Sequence, residues 1–307
     1  MARGPGSKRR AWKRTGWGRA LGAAGDRAVA STLLGALAGV GRLPPDRALG
    51  LAHAIGMRLG PRSARHRLVL DNLALAFPGR EEAERARIGR EMWGHQARLL
   101  VEAAMLERLF DWSPGAPAGR IEVEDRLDVA ARAAAGTPTV MFTGHLGCFE
   151  MLPRMATAIG LDMMSLFRPP NNRRLAVNLM EKRAETGGRF VSSARGTAQA
   201  LVRQLDGGGS VGLLVDQKFR RGPMIPFMDV PAPTNELSAR LAARMGGYVP
   251  ARCVRLPNNR YRIAIEPVVP VAKDAPVEDT LVGINALVGR WVREHPEQWM
   301  WFHRRWG

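Results

Sequence analysis

The feature that most restricts how this chain can fold lies in its last two thirds. After Arg120, short apolar runs alternate with stretches of helical periodicity. Runs at 139–143, 163–167, 189–192, 210–215, 249–254 and 260–266 read as strands, and most are separated by helices at about 125–135, 148–159, 174–186, 196–206, 235–246 and 277–294. Such alternation predicts a mainly parallel central sheet flanked by helices, because parallel neighbours need a crossover and a helix supplies it. One antiparallel pair is expected where 249–254 and 260–266 flank the turn Pro257-Asn258-Asn259. No internal repeat is evident. Gly207-Gly208-Gly209 reads as a tight turn, since it lacks the order of a P-loop or dinucleotide fingerprint.

The N-terminal portion has a different character. Residues 1–19 carry seven Lys or Arg, no acid, and Trp12 and Trp17, which reads as a disordered basic arm suited to an anionic bilayer surface. Residues 20–43 contain the uncharged stretch Ala28–Gly41, only fourteen residues long against the ~20 that a span requires. The expectation is a membrane-associated helix lying in or dipping into the surface; a buried helix and a tilted span are the alternatives. Helices over Asp46–Leu59, Arg62–Phe77 and Glu81–Phe110 complete a helical portion at 44–118, and Pro114 and Pro117 mark the passage to an α/β core at 119–307.

Hydrophobic residues make up 46% and charged residues 24%, a globular composition that excludes disorder of the whole chain. The net charge is +18, and only five of the 46 basic residues are Lys. Arginine keeps its charge when partly buried and grips phosphate and carboxylate in a forked geometry, so part of the excess points to an anionic partner or surface. Cys148 and Cys253 form neither a metal-ligand spacing nor a disulfide framework, which fits a reducing compartment. The basic start is followed by no secretory h-region and cleavage site.

Chemistry concentrates in Thr137–Pro153, TPTVMFTGHLGCFEMLP. His145 and Glu150 are five residues apart and can meet only if His145 lies in a strand-to-helix turn with Glu150 in the first turns of the helix. The expectation is a general base, with Glu150 orienting the imidazole and stabilising its charged form. Cys148 invites a rival reading as a nucleophile activated by His145, though a free Cys is commonly a small buried hydrophobe. Further blocks sit where strands of α/β folds end: Phe167-Arg168-Pro169-Pro170-Asn171-Asn172, Lys182-Arg183 before Gly187-Gly188-Arg189, Ala194-Arg195-Gly196, Val215-Asp216-Gln217-Lys218, and the closing Pro296–Trp306.

In order, GHLGCFE, FRPPNN, the Arg before a Gly pair, ARG, VDQK with PFMDVPAPT, and PEQWMWFHRRW resemble the late acyltransferases of lipid A biosynthesis, the lauroyl/myristoyl transferase family. Arg67–Pro78 is similar to that family's N-terminal Arg…Asn-Leu…Pro segment, and the likeness spans roughly residues 45–307. It implies a glycerolipid-acyltransferase-like fold and an enzyme that moves a fatty acyl chain from acyl-carrier-protein to a hydroxyl of a phosphorylated glucosamine lipid. The implied place is the cytoplasmic face of the inner membrane, and no cofactor or metal is required. His145 would be the base and Glu150 its orienting acid. Arg183 would contact the oxyanion or a phosphate, and Asp216 would position. Arg168, Asn171, Arg195, Gln217 and Gly147 would contact substrate, with backbone N–H groups near Gly147–Cys148 as oxyanion donors. A solvated helix face for Arg183 and a turn cap for Asp216 stay open as alternatives, as does a different glycolipid or aminolipid acceptor. A basic nucleic-acid-binding protein is the remote alternative; no RNP, KH or zinc signature accompanies the charge, and aromatics are only 6%, so no nucleic-acid partner is expected. The six His are scattered in sequence, and no metal site is expected.

Overall fold

A computed structural model describes residues 31, 35–115, 117, 119–167, 177, 180, 181, 183, 188–192 and 196–306. The expected basic arm and most of the expected membrane-associated segment lie outside these residues. Residues 35–40 of that segment are helical, and Leu37, Val40 and Leu43 pack against the protein's own core. Among the described residues, no helix is long and apolar enough to cross a membrane.

Three helices follow the helical residues 35–40: α1 (Pro45–Leu59), α2 (His66–Ala76) and α3 (Glu82–Ala104). The single helix expected over Glu81–Phe110 is interrupted at Met105, whose φ of −117° and ψ of 19° leave the helical region, and α4 (Leu106–Leu109) follows. The core then runs β1 (Ile121–Asp125), α5 (Val129–Ala134), β2 (Val140–Thr143), α6 (Met151–Ala158), β3 (Met163–Phe167), β4 (Arg189–Ser192), α7 (Thr197–Asp206), β5 (Ser210–Leu214), β6 (Met224–Phe227), β7 (Val230–Pro233), α8 (Leu237–Met245), β8 (Gly247–Leu256), β9 (Arg260–Ile265), β10 (Val269–Pro270) and α9 (Val277–Glu294). Residues 177, 180, 181 and 183, inside the expected 174–186 helix, are helical.

The main sheet has the order β1-β9-β8-β2-β5-β3-β4, with β10 pairing β8. Strands β8, β2, β5, β3 and β4 are parallel; β9 returns antiparallel to β8, and β1 runs parallel to β9. The expected mainly parallel sheet flanked by helices and the expected antiparallel pair are both present. The helix expected over 125–135 is shorter, because Ile121–Asp125 joins the sheet edge and Asp125 then accepts from the N–H groups of Leu127 and Val129, turning the chain before α5. Also unforeseen is the separate hairpin of β6 and β7.

Alternation along the central strands divides the core. Val140, Phe142, Val211 and Leu213 enter one apolar cluster with α7, α8, α9 and the tryptophan-rich tail. Met141 and Met163 enter a second, on the opposite face, with α1 and α6. The tail is held by buried polar contacts: Asn72 of α2 donates to the carbonyls of Trp301 (2.7 Å) and His303 (2.8 Å), and the fully buried Arg305 donates to Pro233 O (2.8 Å) and Thr234 Oγ1 (3.0 Å). Beneath α3, the buried Glu102 carboxylate binds the Arg255 guanidinium at 2.5 Å and accepts from Tyr261 at 3.0 Å.

The turn leaving β2 is fixed at Gly147, whose φ is +58°; a Cβ there would lie 2.0 Å from Cys253 O of β8. Replacing Gly147 by Ala therefore combines left-handed strain with a backbone collision, and urea unfolding is expected to show a loss of about 3 kcal/mol or more. A second prediction concerns His95 on α3. Burial, reinforced by the Arg255 and Arg98 charges, lowers its pKa to about 2. The unfolded chain takes up this proton below the ordinary value near 6.5 and the folded chain does not, so stability is fully present above that value and declines as pH falls. His95 alone contributes a slope of about 1.4 kcal/mol per pH unit between about pH 6 and pH 4, and His95→Gln is expected to remove one proton's worth of it in pH-resolved unfolding.

Candidate active site

The site is built where two parallel neighbours end. β2 and β5 pair Thr143 with Leu214, and the ladder continues one step through the Val215 N–H to Thr143 O bond at 3.0 Å. The same register carried past the strand ends sets His145 opposite Asp216. Residues 71 apart in sequence are thus brought together by sheet pairing, at the carboxyl ends of strands where open α/β sheets bind ligands.

Asp216 is 1% exposed, and three donors converge on its carboxylate. The His145 ring Nδ1 lies 2.7 Å from Oδ1, while the His145 backbone N–H and the Trp299 Nε1–H each donate to Oδ2 at 2.7 Å. Burial on its own would raise the Asp216 pKa; the His145 charge and hydrogen bond, the nearby His303 and the Trp299 N–H outweigh it and hold the carboxyl well below the usual range. An ionised carboxylate only accepts, so the Nδ1 of His145 carries the proton and Nε2 is left with its lone pair in the neutral ring. The Gln217 side-chain amide sits 3.0 Å from that Nε2, and Phe149 meets the ring edge-on at 5.2 Å between centroids.

This arrangement corrects the expected pairing of His145 with Glu150. Both imidazole nitrogens are already partnered, and Glu150, 8% exposed, turns instead to Arg183, which it binds through two bonds at 2.5 and 3.1 Å. The Arg183 guanidinium also lies over the rings of Phe167 (4.5 Å) and Phe190 (4.9 Å). The carboxylate that contacts the imidazole is therefore that of Asp216, the residue expected only to position or cap, and Glu150 contacts an arginine. The five-residue spacing was a misleading cue, because Glu150 is the residue immediately before α6 and faces the chain that carries Arg183.

Gly147, expected to contact substrate, has its backbone donor engaged within the protein. Its N–H donates to Gln298 O at 3.0 Å and the neighbouring Cys148 N–H donates to Cys253 O at 3.2 Å, so neither is available to an oxyanion. The side of Gly147 that faces β8 is filled by Cys253 O. Cys148 is wholly buried, and burial pushes its thiol well above the ordinary value, the opposite of what a nucleophile needs. Arg168, Asn171 and Arg195 lie outside the described residues. Trp299 went unnoticed as a site residue; its only sequence signal was its place in the Pro296–Trp306 block. That block also bridges to the turn, through the Leu146–Trp299 pairing.

His145, Glu150, Arg183 and Gln217 all face one cavity of about 710 Å³, walled mainly by apolar side chains of β2, β3, β5 and α6. Such a vessel accepts a long apolar group beside a basic nitrogen. Elsewhere, the fold brings His53, Glu91 and His95 within 4.8 Å of one another, so two of the histidines that are scattered in sequence do converge. Burial and the adjacent Arg98 and Arg255 charges lower the pKa of both imidazoles, and those same cations oppose a metal ion there.

Two comparisons bear on this site. A family model described as bacterial lipid A biosynthesis acyltransferase matches residues 24–307. A lipid A biosynthesis acyltransferase of Shigella flexneri is 27% identical over 270 residues, covering 82% of this chain and 83% of that protein. With His145 lining an apolar cavity and a family match over nearly the whole chain, the protein belongs to the bacterial lipid A biosynthesis acyltransferases, and it is an acyltransferase.

Proposed function

We propose that the protein transfers a fatty acyl chain from the thioester of acyl-carrier-protein to a hydroxyl of a phosphorylated glucosamine lipid, with His145 as general base. The observation that carries this reading is the two-sided environment of one imidazole. Its Nδ1 is tied to a buried carboxylate, while its Nε2 lies beside the Gln217 amide, and both residues line the cavity.

An acceptor hydroxyl is a poor nucleophile until its proton is removed. Nε2 takes that proton as the hydroxyl oxygen attacks the thioester carbon, and Asp216 stabilises the imidazolium that forms. When the tetrahedral intermediate collapses, the carbon–sulfur bond breaks and the imidazolium returns the proton to the departing thiolate. Gln217 occupies the hydroxyl's position at Nε2 and must yield it or share it when the acceptor binds. With the Gly147 and Cys148 N–H groups committed elsewhere, the cationic Arg183, held by Glu150 at the cavity wall, is the group suited to the developing oxyanion or an acceptor phosphate.

A membrane surface is the natural location for such an acceptor. Leu51, Ile55 and Leu59 recur at four-residue intervals along α1 and are 45%, 45% and 57% exposed, forming an outward apolar row on a chain of net charge +18. The cytoplasmic face of the inner membrane would supply both the lipid and the soluble carrier.

The test is acyl transfer in detergent micelles from labelled acyl-carrier-protein to a tetra-acylated disaccharide lipid. His145→Ala is expected to lower kcat about a thousandfold, and Asp216→Asn to come within an order of magnitude of it because the wrong tautomer is then favoured. Glu150→Gln, which leaves the imidazole contacts intact, is expected to lose less than either. Equal activity of His145→Ala and wild type would refute the proposed base.

A further inference from the structure

The cavity floor is one face of the sheet, and its shape is unusual in the middle. Met141 of β2 pairs with Gly212 of β5, and Gly212 pairs with Ser165 of β3, so the three positions share a face. The central one has no side chain and its neighbour on β3 has a small one, which leaves a trough between β2 and β3. Met163, two residues before Ser165, stands on the same face at the far end of that trough, 6% exposed. A Cβ on Gly212 would come within 3.1 Å of the Met163 sulfur and 3.3 Å of the Ser165 hydroxyl, so the missing side chain is what lets the methionine lie across the floor. Behind Met163 a second cavity of about 210 Å³ opens between α6 and the start of β3 and β4. The two cavities share Pro153, Met163 and Ser165 as walls.

We propose that Met163, seated beside Gly212, is the end stop of the acyl chain and sets which donor length the enzyme prefers. This rests on the acyl-transfer reading above. The Met163 sulfur lies beside Gly212, four residues before Asp216, which stands opposite His145, so the trough follows the strands. Four steps of strand cover about 13 Å at ~3.3 Å per step. An extended chain advances about 1.2 Å per bond, so this length accommodates about eleven bonds before the methionine is reached. Methionine is flexible and polarisable, and it fills an irregular gap without polar cost, which suits a partition between two voids. Longer donors must displace it, whereas donors too short to touch it leave apolar wall uncovered, at about fourfold in affinity for each methylene not buried.

The experiment is a competition among an even-carbon series of saturated acyl-carrier-protein thioesters, with product chain lengths read by mass spectrometry. It compares the wild-type full chain with Met163→Ala and Gly212→Val. Met163→Ala joins the two cavities and is expected to move the preferred length up by one or two members of the even-carbon series, in keeping with the roughly three-atom length of side chain removed. Gly212→Val fills the trough and is expected to move it down, and Ser165→Val serves the same purpose on the same floor if Gly212→Val does not fold. An unchanged length profile in Met163→Ala and in a folded trough variant, with the wild type active, overturns the end stop and leaves acyl transfer standing. A wild-type enzyme that transfers no acyl group from any donor overturns the acyl-transfer reading and the end stop with it.

Discussion

The structure depends on one buried carboxylate. Asp216 holds a negative charge in the interior, a placement that costs several kcal/mol unless donors compensate it. Compensation comes from three directions: the ring and the backbone of His145, and the indole of Trp299. Each donor commits a different part of the chain. The His145 contacts require β2 and β5 to be neighbours in a fixed register, and the Trp299 contact requires the C-terminal tail to cross the site. The tail in turn relies on Asn72 and Arg305 to stay in place. Helical N-terminal portion, sheet and tail are thereby tied to a single buried carboxylate and its imidazole partner.

That dependence explains the division of labour between the sheet's two faces. One face is packed by α7, α8, α9 and the tryptophans. The other is thinned by Gly212 and Ser165 and roofed by α6, leaving an apolar space beside His145. In the proposed reaction the acceptor hydroxyl must be aimed while the apolar group only needs containing, which an imidazole fixed at the sheet edge and a cavity on the adjoining face would serve. The Glu150–Arg183 pair lines the same cavity with its charges matched.

The sequence disclosed the central strands because they are apolar on both faces, and α9 was legible to the residue because its periodic stretch is bounded by Pro276 and Pro296. β1 escaped because it is an edge strand, Ile-Glu-Val-Glu-Asp, whose acids pair with Arg260 and Arg262 of β9 and mimic a polar loop. The β6–β7 hairpin escaped because three prolines within it suppress any strand signal. At the site, the residue types were legible and the partners were not. Local spacing suggested His145 with Glu150, but imidazole partners were decided by strand register, which joins residues 71 apart and leaves no local trace. The same holds for Gly147, whose role in a turn against Cys253 becomes visible only once β8 lies beside β2.

The most direct test of the central contact is the tautomer of the His145 ring, measured by ¹⁵N NMR on histidine-labelled protein with His145→Ala to assign the signal. The neutral ring should show a protonated Nδ1 and an unprotonated Nε2, and this preference should vanish in Asp216→Asn while surviving in Glu150→Gln. A neutral ring protonated at Nε2, or a preference lost with Glu150 rather than with Asp216, would contradict the account.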